Sequence, residues 1–90
     1  SWTLKEQVKF DEKGITSQDW ESYPIMTFAD VPEIETILID RKDRPVLGAG
    51  EATQGPTAAA ISNAVFDAVG IRLRRIPFTP EIVLEATAEA

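Results

Sequence analysis

The longest regular pattern in the chain is an apolar stretch in its second half. Ala58, Ala60, Ile61, Ala64, Val65, Phe66, Ala68 and Val69 leave only Ser62, Asn63 and Asp67 polar past the first turn. The pattern predicts a main helix over about 57–69, starting at Pro56 or Thr57 and running roughly three to four turns. Gly70 follows as a C-terminal glycine stop. The three polar residues share one narrow arc, whereas a surface helix of a small domain is apolar over only about a third of its circumference. This helix therefore expects neighbours on several sides. Two short helices and a few strands do not easily provide them, so the missing neighbours are expected in the rest of a larger protein.

A different period governs residues 34–40, Ile-Glu-Thr-Ile-Leu-Ile-Asp. The run is rich in β-branched residues and apolar on both sides at its centre, which predicts a strand with both faces covered. Val8-Lys-Phe10 and Ile15-Thr-Ser17 flank Asp-Glu-Lys-Gly14, a hairpin pattern with Gly14 at the left-handed turn position. Residues 2–8 fit either the last turns of a helix or the start of a strand. Ser22 to Phe28 contains Pro24 and reads as an extended crossing segment, and Asp30-Val-Pro-Glu33 is turn chemistry. Residues 71–76 read as short and extended. Thr79-Pro-Glu81 opens a short C-terminal helix with proline at its first position. The predicted class is α+β, with a small antiparallel or mixed sheet containing 34–40.

Composition narrows the chemistry. With 90 residues, 43% hydrophobic and 27% charged, the chain is at most one small globular domain with a modest core. It has no cysteine and no histidine, which excludes disulfides, thiolate metal sites and the commonest general base from this segment. Acid–base chemistry falls to a carboxylate, a lysine or Tyr23. Fifteen acidic against nine basic residues give a net charge of −6, which argues against a nucleic-acid partner. The local basic clusters, Arg41-Lys42-Asp43-Arg44 and Arg72, Arg74 and Arg75, read as solvated turns or ion pairs. No apolar run approaches the roughly 20 residues of a membrane-spanning helix. The opening Ser1-Trp-Thr-Leu-Lys-Glu reads as a cut through a longer polypeptide, a start that processing or cloning also produces.

One carboxylate is unusually placed. Glu51 stands in the small-residue loop 46–56, within Gly48-Ala-Gly-Glu-Ala-Thr-Gln-Gly-Pro56. Three readings compete. An acidic residue ahead of a helix gains about 0.3–1 kcal/mol from the electropositive N-terminus. A small-residue loop also suits a phosphate cradle, but this one matches no phosphate-binding fingerprint, lacks a lysine and carries a repelling glutamate. The third reading is a catalytic base: glycines admit close approach of a cofactor or substrate, and desolvation strengthens a carboxylate as a base.

From Val8 to about Ile82 the chain resembles the C-terminal end of the molybdenum-binding large subunit of the xanthine dehydrogenase and aldehyde oxidase family. It is most similar to the bacterial branch with isoquinoline oxidoreductase, nicotinate dehydrogenase and related aldehyde dehydrogenases. The resemblance rests on Val8-Lys-Phe-Asp11, Asp19 to Pro24, Ala29 to Glu35 and Gly48-Ala-Gly-Glu51, then Pro56 to Gly70, Ile71-Arg-Leu-Arg74 and Pro77-Phe-Thr-Pro80. It implies that residues 1–90 are the C-terminal part of a molybdopterin-binding catalytic domain. Glu51 would be the active-site base, taking up a proton as water-derived oxygen is delivered to an aldehyde or N-heteroaromatic carbon. Ala52 stands where some relatives have proline, which fits the bacterial branch.

The implied cofactor is molybdenum-molybdopterin cytosine dinucleotide in the full enzyme, with none expected on this segment alone. The implied partners are the remainder of the molybdenum subunit, a 2Fe–2S iron-sulfur subunit or domain, and a small-molecule substrate. Cytoplasmic and periplasmic enzymes both occur in that branch. An isolated segment would be inactive and would self-associate through its exposed apolar helix. The contrasting expectation is a self-contained α+β protein-interaction module, monomeric and without catalysis.

Overall fold

Gly70 ends the main helix with a left-handed backbone, φ 75° and ψ 9°, and donates its N–H to the Phe66 carbonyl. The computed structural model describes residues 1–89 and contains two helices and one hairpin. The helix before Gly70, α1, spans Gln54–Val69, so it begins three residues before the predicted 57. Gly55 and Pro56 fall in its first turn, where proline is tolerated because those N–H groups have no partner within the helix anyway. The second helix, α2, spans Pro80–Ala88, with Pro80 at its first position and Thr79 as cap, its side chain accepting from the Ile82 N–H. The sheet is a two-stranded antiparallel hairpin of β1 (Phe10–Asp11) and β2 (Gly14–Ile15), with Phe10 opposite Ile15. Gly14 takes φ 130° at the turn, as its position in the pattern predicts. The α+β class therefore holds.

Several local expectations are corrected. Residues 34–40 are not a strand and belong to no sheet; they run as irregular chain. A strand exists only through pairing, and among the described residues no segment lies alongside to pair with it. Residues 2–5 form an isolated turn, neither helix nor strand, and residues 71–76 join no ladder. A short 3₁₀ turn forms at Phe28–Asp30, at the end of the segment read as extended, while 31–33, read as a turn, is irregular chain.

What core there is lies where the chain's two ends meet. Thr3, Ser62, Leu73, Pro77 and Phe78 are buried. The Phe78 N–H donates to the Thr3 carbonyl at 2.6 Å, tying the N-terminal turn to the segment before α2. Lys5 Nζ meets Asp30 Oδ2 at 2.7 Å and Tyr23 donates to Glu6 at 3.0 Å, fastening the crossing segment to the same corner. The two helices do not pack on each other.

The inward side of α1 is sparse and mixes a polar residue with apolar ones. Ser62, from the polar arc, is its one buried residue. Its hydroxyl donates to the Leu73 carbonyl at 2.7 Å, while Arg72 donates to Asn63 at 2.6 Å and lies over the Phe66 ring. Of the polar arc only Ser62 is turned inward, beside the half-buried Ala58; Asn63 and Asp67 are exposed. Ile61 and Val65 are only half-buried, and Phe66 and Val69 are exposed. The chain exposes 8125 Å², where a compact protein of its mass exposes about 5,200 Å². Its radius of gyration is 16.9 Å, against about 12 Å for a compact domain of this length.

Candidate functional site

Glu51 lies in the turn immediately preceding α1. Local bonding fixes its backbone: the Glu51 carbonyl accepts from the Gln54 N–H at 3.3 Å, and the Thr53 carbonyl accepts from the Thr57 N–H at 3.1 Å. The loop is therefore anchored to a 16-residue helix at its C-terminal side. The carboxylate itself is exposed and makes no hydrogen bond or ion pair among the described residues. Glu51 precedes the Thr53 cap position, outside the first helical turn, and α1 has no side-chain cap. A capping role for Glu51 is therefore not realised in this chain.

The neighbouring glycines are equally unexplained from within. Gly48 and Gly50 do not adopt a left-handed backbone. A Cβ added at either would meet nothing within 4 Å. Glycine costs conformational entropy on ordering, and here neither strain nor crowding inside the chain requires it. What the loop offers is a carboxylate flanked by backbone that something outside the chain can approach closely.

Several other acid–base groups are engaged elsewhere, while Glu12, Glu21, Glu33, Glu35, Asp67 and Glu89 are exposed like Glu51 and lack its glycine-flanked loop. Tyr23 is held above its ordinary pKa, first by its hydrogen bond to Glu6 and then by desolvation, so the phenol keeps its proton. Asp30 is lowered to about 2, chiefly by its hydrogen bond from Lys5 and then by those from Thr27. Arg41 and Arg44 both pair with Asp43, Lys42 pairs with Asp40, and Arg75 pairs with Glu85. These basic clusters are surface ion pairs, the type that contributes little to stability. Among the described residues no group of three or more acidic side chains is placed to hold a metal ion. Sequence reasoning passed over the structural part of Ser62; its one available signal was a hydroxyl at the edge of the polar arc, flanked at helical spacing by Ala58, Phe66 and Val69.

Comparison with known proteins gives the loop its context. The chain is 48% identical over 86 residues to a nicotinate dehydrogenase subunit of Pseudomonas putida, covering 96% of this chain and 7% of that protein. It is 33% identical over 89 residues to the aldehyde oxidoreductase molybdenum-binding subunit PaoC of Escherichia coli, covering 91% of this chain and 12% of that protein. The chain is a homologue of the molybdenum-binding subunits of the xanthine dehydrogenase and aldehyde oxidoreductase family. A putative xanthine dehydrogenase molybdenum-binding subunit of E. coli, XdhA, is a third such relative, 30% identical over 91 residues and 93% of this chain. The chain spans 7–12% of the length of these curated relatives. No family model and no solved structure matches it. The family resemblance carried by the sequence motifs therefore stands on homology along nearly the whole chain.

Proposed function

We propose that this chain is the C-terminal part of the molybdopterin-binding catalytic domain of a molybdenum hydroxylase, and that Glu51 is its active-site base. The observation that carries the reading is an exposed carboxylate without a partner in its own chain, beside two glycines that its own fold does not require. Homology to molybdenum-binding subunits gives that carboxylate a group to face.

The residues present fit such a group in one limited respect. The 46–53 loop is open on the side of Gly48 and Gly50 and presents one base; it has no thiolate, imidazole or carboxylate cluster to ligate the metal. The pterin and metal contacts therefore belong to other parts of the subunit. When bound, molybdenum-molybdopterin cytosine dinucleotide supplies two-electron redox chemistry for hydroxylating an aldehyde or N-heteroaromatic carbon. The Glu51 carboxylate oxygens accept the proton released as water-derived oxygen is transferred. Gly48 and Gly50 keep side-chain bulk away, and α1 holds the loop in register. Electrons leave through an iron–sulfur subunit or domain. This chain alone binds no cofactor and turns over nothing.

The excess exposed surface and the outward apolar faces of α1 favour this reading over a self-contained interaction module, which would bury its own helix. They also favour self-association of the isolated chain. The direct test is turnover of the metal-replete subunit carrying Glu51→Gln, expected to fall by roughly 10²- to 10⁴-fold.

A further inference from the structure

Residues 34–40 are the most strand-like sequence in the chain, and little in the chain supports them. Ile34, Ile37, Leu38 and Ile39 are 71–88% exposed. Among the described residues, no backbone N–H or carbonyl of 34–40 takes part in a hydrogen bond. A β-branched run of this kind is neither a solvated loop nor a surface turn by composition. In extended form Ile34, Thr36, Leu38 and Asp40 alternate with Glu35, Ile37, Ile39 and Arg41. Each face then carries an apolar centre, Leu38 on one and Ile37 with Ile39 on the other. Charged residues bound the apolar centre on both sides, Glu33 and Glu35 before Ile37 and Asp40 to Arg44 after Ile39, so the two carboxylates within the run sit at its ends. Its length suits one interior strand, which averages about 5–6 residues.

We propose that residues 34–40 become an interior β-strand of a sheet built by the remainder of the molybdenum-binding subunit, which pairs both edges and covers both faces. The inference rests on the reading of this chain as part of that larger subunit. The occupant follows from what must be satisfied. A second copy pairing antiparallel would supply one edge and neither face, and would bring two chains of net charge −6 together. The relatives instead carry the whole matched region within polypeptides of which it is 7–12%. That leaves ample chain to flank a strand on both edges and both sides.

The pairing is tested by amide hydrogen exchange on the full-length subunit, with the 90-residue chain as reference. Exchange at consecutive amides of 35–40 should slow by at least about 10³-fold in the subunit, as in a core strand. Protection at alternate residues alone would show an edge strand and overturn the interior placement. Equal exchange in both samples would overturn the strand. Slowing in the concentrated 90-residue chain, with no further slowing in the subunit, would overturn it in favour of a second copy. Exchange does not depend on turnover, so slow amides with an unimpaired Glu51→Gln enzyme would sink only the catalytic reading. Fast amides with a disabled variant would sink only the strand.

Discussion

The Ser62 hydroxyl donates to the Leu73 carbonyl at 2.7 Å, and both residues are buried. This bond binds the polar arc of α1 to a segment that has no strand partner of its own. Removing it leaves a buried carbonyl unsatisfied, which costs about 1–3 kcal/mol. Ser62→Ala should therefore raise hydrogen-exchange rates in α1 markedly. Asn63→Ala, which breaks an exposed bond to Arg72, should change them little.

Gly70 and the two loop glycines should separate cleanly. Gly70→Ala forces a Cβ into a left-handed backbone and should cost about 1–2 kcal/mol, with no steric addition because the position is open. Gly48→Ala and Gly50→Ala meet neither strain nor crowding here. They should leave thermal unfolding of the 90-residue chain unchanged and lower turnover of the full enzyme.

Acid should release the Lys5–Asp30 tie in a defined window. Asp30 is lowered from 3.8 to about 2 by the Lys5 hydrogen bond first and the Thr27 bonds second. A depressed carboxylate pKa means the folded state favours the ionised form. The contribution is complete above about pH 4 and is lost as pH falls through about 2. NMR titration of the Asp30 side-chain carbon should give a midpoint near 2, moved upward by Lys5→Met. An ordinary midpoint in the unaltered chain would contradict the pairing.

The 90-residue chain should bind a hydrophobic dye and self-associate, since Phe66, Val69, Ile37 and Leu38 are all exposed. Sedimentation showing a dye-silent monomer would favour the self-contained module.

Local chemistry made several elements legible from sequence. Gly70 and the apolar run marked the end of α1, Thr79-Pro80 marked the start of α2, and Gly14 marked the hairpin turn. Each depends on neighbours within a few residues. The strand at 34–40 was misread because a strand depends on a partner elsewhere, and neither composition nor period reveals whether that partner is in the chain. The inward orientation of Ser62 was missed for a related reason: periodicity defines the arcs of a helix but not which arc meets the rest of the fold. Glu51 stood out by its glycine-flanked position, yet only the resemblance distinguished a base from a helix-end charge.

The central claim is that Glu51 accepts a proton during turnover. Glutamine at position 51 keeps the size and hydrogen-bonding shape but accepts no proton at neutral pH. The Glu51→Gln subunit, purified with unchanged molybdenum content and fold, should lose roughly 10²- to 10⁴-fold in kcat. Glu21→Gln and Glu33→Gln, exposed carboxylates outside the loop, should retain near-normal kcat. Near-normal turnover of metal-replete Glu51→Gln enzyme would contradict the account and return Glu51 to an ordinary surface charge.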